Sequence, residues 1–430
     1  MKRVVITGIG LVTGLGVGTA ETWKGLLDGR SAVGDLRGFD ASSLRSRLGA
    51  EVADFEPAQF AANRRVLRNM TRNDQFGVAG AALALDDAAL TIADPDRAGL
   101  FLGGNKEISE PAKVLDAVLL ARNPDGSADL ARMGTEGAAA FYPLFYVEGL
   151  QAAALFYISQ AHGLRGANTY FAGTAEAGAT AIGRAFRAVR RGEAAVAVAG
   201  GFDDPTSWWS MTKLDPMGVL SLRNELGATA VRPFDSERDG FAPGDGAAFV
   251  VLEDADAAVE RGASVYAEIT GFGRGFAQPG AGDPAAEAGA AGAIRSALRE
   301  AGIEPDAIDC VVAEGAAVPD VDSAEIDALR TVFGPRLEQL PVTAVTAATG
   351  HLMAGAGALN AAVAALIVRH GAVPPIATLT DPDPACAGPR WVTDPGHEQP
   401  VGHVLALARG FQGQHVALVL RAHTARTPQS

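Results

Sequence analysis

The sequence predicts an α/β protein built as two pseudo-repeated halves, its sheets covered by helices on both faces. Three observations predict it. The first is composition: 430 residues, 48% hydrophobic, 20% charged, with 52 glycines. That is the profile of a compact chain long enough to bury a sizeable core. The second is alternation, because β-branched and apolar runs give way repeatedly to Ala-rich helical segments. The third is a weak internal repeat. Residues 173–191 and 349–370 are both turns of small residues feeding an apolar helix with a basic end, each followed by a Gly and an apolar run. The halves join near residues 250–260, which sets them at 1–255 and 256–430.

The first strand is residues 3–7, where β-branched side chains run into glycine. Residues 8–14 read as a Gly-rich turn. It resembles a dinucleotide fingerprint, but the third Gly falls one residue late, and chain geometry accounts for it. Helices follow at 21–28 and 72–90, a strand at 98–104 and a helix at 105–122. Residues 141–163 are unusually aromatic and read as core, pocket wall or oligomer interface. A strand at 169–172 leads into a turn of small residues at 173–179, then a helix at 180–191 and a buried strand at 194–201. Residues 235–245 are polar and Gly-rich. A strand at 247–252 precedes a helix at 254–261 with Asp254 as N-cap. The second half gives helices at 284–301 and 323–333, strands at 310–313 and 340–345, a long helix at 352–369, and closing strands at 404–408 and 415–420.

The charge balance, 36 basic against 50 acidic residues for a net −14, gives no footprint for nucleic acid or an anionic membrane. Two cysteines, Cys310 and Cys386, exclude a disulfide scaffold, and no His/Cys cluster has ligand spacing, so neither metal nor cofactor is expected. The apolar run 352–368 reads as a buried helix, and with no targeting segment visible the expected location is the cytoplasm.

The turn at 173–178 is the best site candidate, because a nucleophile there would stand at a helix N-terminus beside backbone donors. It holds no Cys or Ser, only Thr174 and Glu176, and a carboxylate at that place is also what the helix dipole favours. The second half offers Glu314 at a strand end and His351 at a turn, which could form an acid–base pair if the halves fold face to face. Cys310 reads as an inert buried thiol, and Cys386 lies in a polar loop.

These motifs carry a resemblance over nearly the whole chain. The segments Val4-Val5-Ile6-Thr7-Gly8-Ile9-Gly10, Arg232-Pro233-Phe234-Asp235-Ser236-Glu237-Arg238-Asp239-Gly240-Phe241, Gly244-Asp245-Gly246-Ala247, Thr349-Gly350-His351-Leu352 and Asp381-Pro382-Asp383-Pro384 resemble the β-ketoacyl-ACP synthases of thiolase fold. The resemblance implies a five-layered αβαβα body and a dimer. It also exposes departures. Ala175 stands where that family has its nucleophilic Cys, with Glu176 beside it. Glu314 stands in place of the first His, and Thr346 in place of a Lys. The second His remains as His351. A chain without the thiolate is expected to show no ketosynthase turnover alone.

The same defect resembles the chain-length factor, or ketosynthase-β, subunit of type II polyketide synthases. The implied role is a non-catalytic partner of a Cys-bearing ketosynthase-α, extending a polyketide or polyene on acyl carrier protein. By this resemblance Glu110, Lys113 and Ala117 fall at chain-length gate positions and Phe145 and Tyr146 at the interface. Arg184, Arg187, Arg190 and Arg191 form a basic patch for the carrier. Two other readings stay open: altered chemistry on an acyl thioester using Glu314 and His351, and a homodimeric scaffold binding acyl chains or carrier protein.

Overall fold

The computed structural model describes residues 1–61, 64–105, 111–141, 143–277, 284–398 and 400–424. Its main sheet is 12-stranded. The principal strands of the first half are β1 (Val4–Thr13), β2 (Ala98–Gly104), β3 (Asn168–Ala172), β4 (Val196–Asp203) and β5 (Gly246–Asp254). Those of the second are β6 (Ala267–Phe276), β7 (Cys310–Val312), β8 (Pro341–Thr343), β9 (His403–Arg409) and β10 (Gln414–Arg421). The order across the sheet is β8-β7-β9-β10-β6-β1-β5-β4-β2-β3, with Arg390–Trp391 outside β8. Counted from its own first strand, each half therefore runs third, second, fourth, fifth, first. The halves are stitched by the antiparallel pairing of Val4, Val5 and Ile6 with Ile269, Glu268 and Ala267.

The helices that matter here are α1 (Arg72–Asp87), α2 (Pro111–Leu120), α3 (Ala153–His162), α4 (Ala175–Arg191), α5 (Trp208–Met217), α6 (Pro284–Ala301), α7 (Pro319–Phe333) and α8 (Ala356–His370). Three hydrophobic cores make five layers. One packs α1 and α3 on the first half of the sheet. A central core buries α4 and α8 between the two halves. The third packs α6 and α7 on the outer face of the second half. A helix apolar all round belongs in such a middle layer. The segment Met353–His370 is long and apolar enough to cross a membrane, and it is 83% buried inside the protein. α1 starts on a capping box, in which Thr71 and Asp74 exchange hydrogen bonds.

The structure corrects two expectations and adds two elements that the sequence did not announce. Residues 8–14 are not a turn, because β1 continues through them to Thr13. Gly8 and Gly10 are there for packing: a Cβ on either would overlap the carbonyl oxygen of Ala84 or Gly80 in α1. β6 was not anticipated: Gly271, Gly273 and Gly275 interrupt its apolar run. A Cβ at those positions would overlap the carbonyls of Ala297, Ala293 and Gly289 in α6. The first strand of each half thus uses alternate glycines to let its first helix lie close. Helix α4 begins at Ala175 rather than at 180. Helix α5, with Pro216 inside it, was unexpected.

Candidate active site

α4 enters the central layer with Thr174 at its N-cap position, and Ala175, its first residue, is fully buried. The two central helices cross there, so closely that a Cβ on Gly357 of α8 would overlap the Ala175 carbonyl. Glu176 turns back over the helix start. Its Oε2 accepts both the Thr174 N–H and the Thr174 hydroxyl at 3.1 Å. The same hydroxyl accepts the Phe411 N–H at 3.1 Å, which ties the 410–413 loop to this turn. The Glu176 carboxylate lies against Gly173 and Gly410, where a Cβ would overlap it. Burial pushes its carboxyl above the usual range, the Thr174 bonds oppose that, and the charge of Glu314 adds to it.

Glu314 follows β7. Its backbone is fixed by Glu325 of α7, whose carboxylate accepts the N–H groups of Glu314 and Gly315 at 2.8 and 3.0 Å. Gly315 holds φ +54°, a left-handed conformation that glycine adopts without strain. Thr346 donates its hydroxyl to the Glu314 carbonyl at 3.0 Å. Burial pushes the Glu325 carboxyl up to about 7, against those two backbone bonds.

The structure brings Glu314 and His351 together. His351 Nδ1 accepts the Met353 N–H at 3.1 Å, which leaves Nε2 to carry the ring proton toward Glu314 Oε1 at 2.9 Å. Glu314 Oε2 accepts the Arg409 N–H at 3.3 Å. The imidazole lies on Phe241, with centroids 4.8 Å apart, and Phe411 is 6.2 Å away. Both members of the pair are buried, His351 at 1% exposure and Glu314 at 4%. They line a cavity of about 150 Å³ with Met217, Val219, Phe241, Arg409 and Phe411. Ala175 and Glu176 do not line it. Glu325 and the Arg409 guanidinium escaped sequence reasoning: neither sits in a turn or a chemical motif, and both reach the site from neighbouring elements.

Other expected residues lie apart. Burial pushes the Cys310 thiol up to about 12 and that of Cys386 up to about 11, so both are inert. No cluster of His, Cys, Asp and Glu among the described residues could hold a metal. Of the gate positions, Glu110 and the Lys113 side chain lie outside the described residues, and Ala117 of α2 is fully buried. Phe145 packs on Phe141 and Tyr146, and Tyr146 is 75% exposed. The four arginines stand toward the far end of α4, and three are engaged. Arg187 and Arg190 bind Glu300 at 2.8 and 3.0 Å, and Arg191 faces Glu193 at 3.8 Å. Arg184 is exposed.

Two family models match this chain: the β-ketoacyl synthase N-terminal domain over residues 1–258 and the C-terminal domain over residues 266–380. The chain belongs to the β-ketoacyl synthase family. Relatives of this chain include polyketide ketoacyl synthase subunits and 3-oxoacyl-[acyl-carrier-protein] synthases. It is 36% identical to the tetracenomycin polyketide synthase ketoacyl synthase beta subunit of Streptomyces glaucescens, over 98% of each chain. It is also 32% identical to a 3-oxoacyl-[acyl-carrier-protein] synthase 2 of Coxiella burnetii, over 97% of this chain and 98% of that one. Among solved structures, the ishigamide ketosynthase/chain length factor matches with a TM-score of 0.85 at 29% identity, covering 98% of this chain and 100% of that chain. A type II polyketide synthase acyl-carrier protein in complex with its ketosynthase contains a chain that matches at 0.82 and 26% identity, covering 98% and 100%. The fold is thus the thiolase-like ketosynthase fold that the motifs implied.

Proposed function

We propose that this chain is a non-catalytic, chain-length-factor-like subunit that pairs with a Cys-bearing ketosynthase on acyl carrier protein. The observation that carries the reading is the Glu314–His351 pair, taken with a fully buried Ala175 at the start of α4. Condensation needs a thiolate to hold the acyl chain, and a side chain ending at Cβ supplies none. It also needs neutral donors where the enolate develops. Here the remaining imidazole donates to a carboxylate, and that carboxylate would repel the enolate. Glu176 fills the turn with a second acid. The likeness to a beta subunit and to a ketosynthase/chain length factor supports the same reading.

In this proposal the partner covers the exposed apolar surface of residues 115–156. Leu119, Leu130, Tyr146, Leu150 and Phe156 are each more than half exposed there, which suits a surface that a partner covers. Ala117, with Glu110 and Lys113 on the same segment, is the proposed gate, where a small residue leaves room for a long or stiff chain. The test is co-expression with a Cys-bearing ketosynthase followed by native mass spectrometry. A one-to-one complex is expected. A stable homodimer that ignores the ketosynthase would contradict the proposal.

One observation favours a second reading. Glu314 and His351 are within hydrogen-bond reach and line a cavity, which is what acid–base chemistry on an acyl thioester would need. Turnover by the chain alone, lost in Glu314→Ala and His351→Ala, would establish it.

A further inference from the structure

We infer that the cleft at the seam between the two halves of the sheet is a binding site for a phosphate-class oxyanion. It lies between the start of β1, the start of β6, the end of β10 and the C-terminal ends of α4 and α6. Its volume is about 200 Å³, and Lys2, Arg3, Arg190, Arg421, Glu268 and Glu300 supply its charges. It is remote from the Glu314–His351 cavity. β10 runs from Gln414, near Arg409, to Arg421 at the cleft, about 23 Å at the usual rise per strand residue.

The argument is one of charge. Glu268 binds Arg3 at 2.6 Å and Arg421 at 2.9 Å. Glu300 binds Arg190 at 3.0 Å and Arg187 at 2.8 Å. Lys2 turns aside to Asp254 at 2.7 Å. Each carboxylate is therefore shared by two guanidinium groups, although Arg187 does not line the cleft and Arg3 Nη2 also meets the Thr424 carbonyl and His423 Nδ1, each at 3.2 Å. One donor is plainly unused: Arg421 Nε is buried and has no hydrogen-bond partner among the described residues. A buried donor without an acceptor is costly.

The network holds more guanidinium groups than carboxylates, so it carries a net positive charge. Arginine at the end of α4 also offsets the carbonyl end of the helix dipole. That accounts for Arg187 and Arg190, which the sequence pattern singled out, but not for Arg3, just before β1, or Arg421, at the end of β10. A tetrahedral oxyanion with several acceptor oxygens fits guanidinium donors converging from three elements.

The experiment is isothermal titration calorimetry of the full chain with inorganic phosphate in a low-chloride buffer, compared with Arg190→Gln and Arg421→Gln. Saturable one-site binding is expected, weakened about tenfold or more by each substitution, as for loss of one charge-assisted hydrogen bond. Thermal melting checks that the variants fold. If Arg421→Gln does not fold, Arg190→Gln, at the cleft rim, decides alone. Absence of saturable heat, or the same affinity in a folded variant, would overturn the inference. Neither result depends on partner ketosynthase.

Discussion

His351 keeps its ring orientation because two backbone and side-chain partners hold it: Met353 N–H on Nδ1 and Glu314 on Nε2. In the proposed reading Ala175 stands where the family's cysteine would be, and Glu176 and Glu314 are the acids of the site. Restoring the thiol alone is therefore insufficient. A cysteine at 175 would be fully buried with Glu176 next to it in the chain, and both desolvation and like charge hold a thiol protonated. Ala175→Cys is expected to give no acyl adduct on incubation with acyl-carrier protein, read by intact-protein mass. Adduct is expected only when Glu176→Ala and Glu314→His are added. A second prediction concerns Glu314→Leu. It strands the His351 and Arg409 N–H donors and should cost about 2–3 kcal/mol in urea unfolding. The pairing of Glu314 with His351 was legible, because one stands at a strand end and the other at a turn of the second half. The partnership of Glu314 with Arg409 and Glu325 was not legible, because hydrogen bonds between residues 95 and 11 positions apart leave no local pattern.

At the scale of elements, the strand glycines decide how closely helices lie on the sheet. Gly273→Val would drive a side chain into the Ala293 carbonyl, and overpacking of this kind should cost about 3 kcal/mol or prevent folding. Gly292, on α6 with open space around its Cβ position, is the control. Gly292→Ala should stabilise by about 0.5–1 kcal/mol, since helix propensity alone changes. Denaturant midpoints compare the two. The same glycines explain what was hidden in sequence. β-branched runs such as Val4–Ile6 announce a strand, but Gly-Phe-Gly-Arg-Gly at 271–275 carries no such run and no strand was expected there. The start of α4 was hidden for a related reason: small residues suit both a tight turn and the crowded first turn of a buried helix. α8 was legible throughout, because a helix apolar on every side has few other places to go.

The whole molecule carries an unusual load of buried acids. Burial pushes Asp203 up to about 7, Asp245 up to about 6, Asp322 up to about 8 and Glu325 up to about 7. A carboxyl whose folded pKa is raised binds its proton more tightly when folded. Its contribution is fully present below the unfolded pKa near 4 and drains away as pH rises through the folded value. Stability should therefore fall between about pH 5 and pH 8.5, measured by urea midpoints, and Glu325→Gln should flatten that fall.

Assembly is the other property of the whole molecule. The exposed apolar band on residues 115–156 and the closed Ala175 turn both suit a chain that contributes surface rather than chemistry. Most direct is intact-mass analysis of this chain and a Cys-bearing ketosynthase, separately and together, after incubation with malonyl-carrier protein. The account predicts acyl label on the partner alone and product from the pair alone. Label on this chain, or consumption of malonyl-carrier protein by this chain by itself, would contradict it.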